Sequence, residues 1–355
     1  MKNFYKYLAV IFLTAFISLP PVVVFGGNKD RAGQAGAPEL LINPWAKNSG
    51  WGGANVACVS GTDGIFNNIA GLAHTLKTEL SFSYADWLQG ADVKLMTAGL
   101  GQRVGESGVF GFSFMSLNFG EIEITQVEEP EGGIGKFSPR YLNINISYAR
   151  AFSNSIFGGM NLKVISESIA DASAEGIALD AGIQYVTGEK ENIKFGISLR
   201  NIGIGKLKFK GDGYSLQTFV PNNDNQFTTT QRAASFEIPT QLNIGAAYDF
   251  LIEKSRFTLA GTFISNSFKK DQFALGAEYS FRDYVLLRAG YTYEDGITKP
   301  ITDPDKTNVE RGFTGGFSVQ APLKKGTKSV FAVDYSIRPV ENFRPIHTIG
   351  VRFTL

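Results

Sequence analysis

Residues 345–355 alternate strictly. His347, Ile349, Val351, Phe353 and Leu355 fall on one face, and Thr348, Gly350, Arg352 and Thr354 on the other. A period of two is the mark of a strand, and an apolar face this regular needs a cover of protein or lipid. A strand with lipid against its apolar side and a wet lumen against its polar side must read this way. At the C-terminus, such a strand is expected to seal a barrel.

The alternation recurs through most of the chain. Leu142, Ile144, Ile146 and Tyr148 oppose Asn143, Asn145 and Ser147, and Ile193, Phe195, Ile197 and Leu199 oppose Lys194, Gly196, Ser198 and Arg200. The runs around Phe273–Phe281 and Phe331–Ile337 behave alike. These patterns predict fourteen strands, at 78–86, 91–103, 107–118, 140–150, 155–168, 174–187, 192–200, 236–249, 255–266, 271–282, 285–294, 309–320, 328–338 and 345–355. The second is the least regular. An even number suits a closed antiparallel barrel, and the connections sort by parity: 119–139, 201–235 and 295–308 are long and odd, whereas 188–191 and 283–284 are short and even. With the first strand starting in the periplasm, the long connections lie outside the cell. The expected fold class is therefore all-β: a transmembrane antiparallel barrel of about 14 strands, integral to a bacterial outer membrane and surrounded by lipid bilayer.

Composition fits this reading. The chain is 43% hydrophobic, holds 40 Gly and 29 Phe among 355 residues, and has a mean hydropathy near zero. That is too polar for a helical membrane protein, since in a barrel wall the apolar residues occupy only alternate positions. A soluble β-sandwich also alternates and is the competing architecture, but about 280 residues of continuous hairpins would make a large one. Lys2 and Lys6 ahead of the apolar run Tyr7–Ile17, followed by Pro20, Pro21, Gly26 and Gly27, predict an export signal over residues 1–26. Without that segment 32 basic residues face 33 acidic ones, so no basic excess invites nucleic acid. Cys58, the lone cysteine, excludes an intramolecular disulfide and is expected to be a buried structural thiol.

Residues 27–77 do not alternate and are expected to form a plug in the lumen of the barrel, which spans 78–355. The stretch Ala35-Gly36-Ala37-Pro38-Glu39-Leu40-Leu41-Ile42-Asn43-Pro44-Trp45-Ala46, with Ser49-Gly50-Trp51-Gly52-Gly53-Ala54-Asn55-Val56-Ala57, resembles the mature N-terminus of the PorV/PorQ family of the type IX secretion system of Bacteroidota. Phe66-Asn67-Asn68-Ile69-Ala70-Gly71-Leu72-Ala73 resembles the Asn-Pro-Ala-Gly-Leu motif of FadL-type barrels, with Ile69 where that motif has proline. The resemblance is sharp over residues 32–73 and architectural elsewhere. In physical terms Trp45, Trp51, Ile65 and Phe66 offer apolar packing against an inner wall, and 62–73 suits a short helix capped by Thr62 or Asp63. Contact with a substrate moving through the lumen is the alternative role for these residues.

The inward face is expected to carry Lys163, Asp180, Lys194, Arg200, Glu278, Arg288, Asp334, Arg338 and Arg352. Such mixed signs suit mutual pairing or a porin-like constriction. No catalytic constellation appears. His74 and His347 lie at opposite ends of the chain, and Gly99–Gly105 sits at a hairpin with no helix behind it. Glu128, Glu129, Glu131, Asp303 and Asp305 read as solvated outer-loop residues. No enzyme, cofactor or metal site is expected. The long connection 201–235 places Tyr214, Phe219 and Phe227 among Asn, Gln and Thr, the composition of a protein-binding surface, a mobile loop being the alternative. The family resemblance implies partners: the C-terminal signal domains of secreted cargo, the type IX translocon barrel, and the cell-surface attachment (sortase) complex. The competing function is a FadL-like transporter of hydrophobic small molecules.

Overall fold

The computed structural model describes residues 27–88, 90–211, 215–220, 223–230, 233–303, 305–323 and 329–355; the expected export signal lies outside them. Fourteen long strands form the wall: β1 (Thr78–Leu88), β2 (Val93–Val104), β3 (Gly108–Asn118), β4 (Arg140–Ala151), β5 (Ile156–Ile169), β6 (Ala172–Thr187), β7 (Ile193–Ile204), β8 (Gln241–Ile252), β9 (Ser255–Asn266), β10 (Gln272–Phe281), β11 (Val285–Glu294), β12 (Phe313–Pro322), β13 (Val330–Arg338) and β14 (Ile346–Thr354). Each pairs antiparallel with its sequence neighbours, and β14 returns to β1 in a register running from Glu79 opposite Thr354 to Asp86 opposite His347. The barrel is closed, so the wall offers no free edge to another chain.

Exposure follows the alternation. Phe82, Ile146, Ile183, Leu275 and Ile349 stand out from the wall, while Asn145, Ser147, Gln184, Glu278 and Thr348 are buried on its inner side. Cross-strand aromatic pairs such as Phe110 with Tyr148, Phe263 with Phe273, and Tyr291 with Phe313 cover the outer surface, with ring centroids 4.5–5.0 Å apart. An apolar belt of this extent would be unstable in water and is what an acyl-chain environment requires.

The wall departs from its expected bounds at identifiable places. β8 begins at Gln241 rather than 236, because Pro239 has no N–H for the ladder. β12 begins at Phe313 rather than 309, beyond Gly312 at φ +83°. β7 continues past 200 to Ile204, crossing Asn201 at φ +58° and facing a bulge in β6 between Leu179 and Ala181. Inside, the N-terminal segment forms a series of short turns: 3-10 turns at Lys29–Arg31, Pro38–Leu41, Gly61–Phe66 and Ile69–His74, and one α-helical turn at Ala46–Ser49.

Candidate functional site

The N-terminal segment runs from one mouth of the barrel to the other. At the long-connection mouth Arg31 pairs with Glu237 at 2.9 Å and stacks over the Phe268 ring, while Gly36 N–H donates to Glu237 O. At the short-turn mouth the Arg103 guanidinium donates to the carbonyls of Ala73, Thr75, Leu76 and Glu106. Those acceptors include the otherwise open end of the last 3-10 turn. Arg103→Lys loses the planar fork that reaches all of them. It is expected to speed proteolytic nicking at residues 73–77 severalfold in the folded barrel, and unchanged protection would remove Arg103 from this role.

Between the mouths the plug is held by specific contacts. Trp45 meets Phe66 edge to face at 6.0 Å, and both pack with Ile65 and Leu72 in one apolar cluster. Trp51 sits in a second cluster against Ala247, Ala260, Ile264 and Ala274 of the wall. All four expected packing residues are thus buried where the plug meets the barrel. The expected single helix at 62–73 is instead two 3-10 turns separated at Asn67 and Asn68. Its cap is Asn68, whose side chain accepts from Ala70 N–H. Thr62 cannot cap, since its N–H and hydroxyl both go to Glu79 Oε1, at 2.8 Å each. Gly61, at φ +73°, lies where any Cβ would run into the Glu79 carboxylate.

The inward charges pair almost completely. Lys163 meets Asp180 at 2.8 Å, Lys194 meets Asp249 at 2.6 Å, Arg288 and Arg256 share Glu278, Arg338 meets Glu310, and Arg352 faces Asp334 at 3.6 Å. Asp249, Arg256 and Glu310 are members of these pairs that alternation did not single out. Asp249 could have been found from its place between outward Tyr248 and Phe250. Arg200 alone of the nine expected charges has no carboxylate within ion-pair distance among the described residues.

Two polar cavities flank the plug. The upper one, about 160 Å³, lies toward the long connections among Asn48, Asn243, Arg200 and Arg338. The lower one, about 510 Å³, lies toward the short turns and is lined by Asp63, His74, Lys194, Asp249 and Glu278. Cys58 borders the lower cavity and is half-buried rather than sealed in a core. Desolvation at this position pushes its pKa up to about 12, which keeps the thiol protonated at neutral pH. Among the described residues no group of three or more His, Cys, Asp or Glu is placed to hold a metal. His347 faces outward and bonds Tyr335 Oη at 2.7 Å, far from any lumen chemistry.

His74 stacks on Phe157 with centroids 4.2 Å apart and pairs with Gln184 Oε1 at 3.0 Å. Burial first, and the Lys194 and Arg103 charges after it, hold its pKa below the ordinary 6.5, against the Gln184 bond, which raises it. A histidine whose folded pKa is depressed binds fewer protons folded than unfolded. Its stability contribution is therefore present above about pH 6.5 and lost as pH falls below that value. Wild-type melting temperature should accordingly fall more between pH 7.5 and 5 than that of His74→Gln, and equal slopes would contradict the assignment.

Described residues of the outer connection between β7 and β8 pair as short β-ladders. Leu207–Lys208 pairs with Ser235–Phe236, Lys210–Gly211 with Ala172–Ser173, and Ser215–Val220 with Asn223–Thr230. Phe219 lies opposite Gln226 and exposed Phe227 opposite Thr218; Tyr214 lies outside the described residues. The connection between β11 and β12 folds around Lys270, which donates to Asp295 O at 2.8 Å and Asp305 O at 2.6 Å. Asp303 and Asp305 are both engaged by Lys299.

A closed wall, a threaded plug and long connections gathered at one mouth describe a plugged outer-membrane barrel. The family described as "Type IX secretion system membrane protein PorP/SprF" matches residues 131–342, more than half of the chain. The chain belongs to the PorP/SprF family. This PorP/SprF match begins well past residues 32–73, the region carrying the PorV/PorQ resemblance. No curated protein sequence matches the chain. Among solved structures it is similar to a Pseudomonas aeruginosa FadL homologue (11% identity, TM-score 0.53, 87% of this chain and 98% of that one). It is also similar to the Ralstonia pickettii toluene transporter TbuX (12%, 0.51, 94% and 100%) and to the CymD monoaromatic hydrocarbon channel (14%, 0.52, 88% and 97%). At these identities the likeness is one of fold: this PorP/SprF protein is a FadL-like 14-strand barrel integral to the outer membrane.

Proposed function

We propose that this type IX secretion protein is a PorV-like cargo receptor. It binds the C-terminal signal domain of secreted cargo at its outer mouth, docks beside the translocon barrel, and hands cargo to the cell-surface attachment (sortase) complex. Its mechanism is binding and not catalysis. The observation carrying this reading is the separation of surfaces. The hairpins of the long connections and the N-terminal strap tied to Glu237 are gathered at the outer mouth, whereas the lumen is occupied by a plug seated on apolar clusters and ringed by ion-paired inner-wall charges. The PorV-type text at residues 32–73 supports the same assignment.

The competing reading, transport of hydrophobic solutes, draws on the fold it shares with hydrocarbon channels. Such solutes need an apolar path through the wall or lumen. Both cavities beside the plug mix apolar residues such as Val56, Ile264, Trp51 and Leu286 with amide and charged side chains, so neither offers a continuous apolar path, and the large apolar hollow, about 760 Å³ around Phe195, Leu259, Leu275 and Tyr291, lies on the lipid-facing side. The chemistry of the lumen favours the receptor reading.

Purification from native envelopes followed by mass spectrometry tests it. Co-isolation with translocon and cargo is expected, and a lone barrel carrying hydrophobic solute would overturn the proposal. Within the outer hairpin, Phe219→Ser with Phe227→Ser is expected to reduce partner recovery about tenfold without lowering barrel yield. Full recovery would exclude these side chains.

A further inference from the structure

The upper cavity contains a cation, Arg200, with no carboxylate within ion-pair distance among the described residues. Arg200 is 6% exposed, and its two hydrogen bonds go to neutral oxygens, Gln241 Oε1 at 3.1 Å and Leu40 O at 3.3 Å. Its Nε has no partner among the described residues. The neighbouring acid, Asp180, is taken by Lys163, Asn161 and the Asn201 N–H. One carboxylate therefore serves two buried cations in this part of the wall, an arrangement that costs stability unless something negative completes it.

Two further donors around the cavity are free: Arg338, whose charge is met by Glu310, keeps an unpartnered Nε, and Asn48 presents a buried, unpartnered Nδ2. Arg200, Lys269 and Arg338 outnumber Glu310, the only acid among the described residues of the lining. Lys269 and Asn308 are half-buried residues of the outer connections, so the cavity reaches the outer mouth. A volume of about 160 Å³ admits a small acid group and a few waters at roughly 30 Å³ each. A guanidinium with free donors beside side-chain amides is suited to a planar oxyanion, which accepts two parallel hydrogen bonds.

We propose that the upper cavity is a carboxylate-binding site anchored by Arg200. The acid comes either as a free small molecule or as the end of a peptide chain entering from the outer mouth. Neither source requires the cargo-receptor reading to hold. The purified full-length barrel in detergent would be titrated calorimetrically with acetate, with an N-acetylated tripeptide bearing a free C-terminus, with the same peptide amidated, and with phosphate. Saturable binding of an acid, and none of the amidated peptide, is expected. Peptide tighter than acetate assigns the site to a chain end, and equal affinity assigns it to a free acid. Arg200→Gln should weaken binding at least about tenfold, the loss of one charge-assisted contact. Should that variant fail to assemble, Asn243→Asp carries the test. It places a negative charge at an oxygen that already lines the cavity without a partner, keeps the shape of the wall, and should abolish binding. Absence of saturable acid binding, equal binding of the amidated peptide, tighter binding of phosphate than of either acid, or acid binding unchanged in Asn243→Asp would overturn the proposal. Co-isolation of translocon and cargo is read separately, so a failure here leaves the receptor assignment intact.

Discussion

Gly182→Ala should unseat the plug. Gly182 faces inward on β6, and a Cβ there would lie inside the van der Waals envelope of Asn68 Oδ1. Asn68 has little room to retreat, because its Nδ2 donates to Val56 O and Ile183 O at 3.1 Å each while its Oδ1 accepts from Ala70 N–H. Overpacking of a rigid contact typically costs about 1–3 kcal/mol, and the hydrogen bonds lost with it add about 1 kcal/mol each. The sum is expected to lower the melting temperature by several degrees and to make residues 61–74 protease-sensitive. Gly182→Ala with Asn68→Ala should be nearly as stable as Asn68→Ala alone, since the hard clash with Oδ1 is then gone and only the tight contact with Ile69 N at 3.2 Å remains. Strict additivity of the two losses would show that Gly182 does not seat the plug. The same principle operates at Gly196, where a Cβ would come within 2.6 Å of Val56 O. The abundance of glycine in this chain thus has a local meaning, as inner-wall positions against which plug backbone lies directly.

Asp180→Ala is the second substitution with a large expected effect. Asp180 occupies the bulge of β6, where one oxygen accepts the Asn201 N–H at 2.7 Å and the other receives Lys163 at 2.8 Å. Lys163 is fully buried and also donates to Asn201 Oδ1 at 2.6 Å. Removing the carboxylate leaves a buried ammonium without counter-charge and a backbone donor without an acceptor. Breaking a buried pair from one side costs about 3–5 kcal/mol. A large fall in assembled barrel is expected. Asp180→Ala with Lys163→Met should recover most of it, because the uncompensated charge goes with the lysine. Heat-modifiable mobility of the folded barrel on gels measures both. A double variant as poor as Asp180→Ala would place the importance of Asp180 in the bulge itself rather than in the ion pair.

The wall was legible in the sequence wherever lipid and a polar interior press on opposite faces. Tyr141–Ser147 and Ile193–Arg200 show that period plainly, and their exposure follows it. Legibility fell where the inner face is apolar too. On β2, Val93 and Leu95 point inward into the cluster of Trp45 and Leu72, so the contrast between faces fades and the strand reads poorly. It fell again in the outer connections. The hairpin of Ser215–Val220 with Asn223–Thr230 is built largely of Thr, Asn and Gln, with no apolar face to betray a strand.

Of the lumen, the types of residue were readable and their partners were not. Nine inward charges could be named from alternation, but each pairing joins strands or turns whose register the sequence does not state. Arg338 with Glu310 joins β13 to the connection before β12, and Arg256 reaches Glu278 on β10 from β9. Arg103 sits on the irregular β2, and nothing in its own neighbourhood shows that it clamps carbonyls at residues 73–76. The buried imbalance at Arg200 appears only once Asp180 is seen to be occupied by Lys163.

The central claim is that this barrel is closed by its own N-terminal segment. Conductance of the purified protein in planar lipid bilayers tests this most directly. The intact chain is expected to insert without steady porin-sized currents, and removal of residues 46–74 to produce large, stable steps. Steady porin-sized currents through the intact chain would contradict the account.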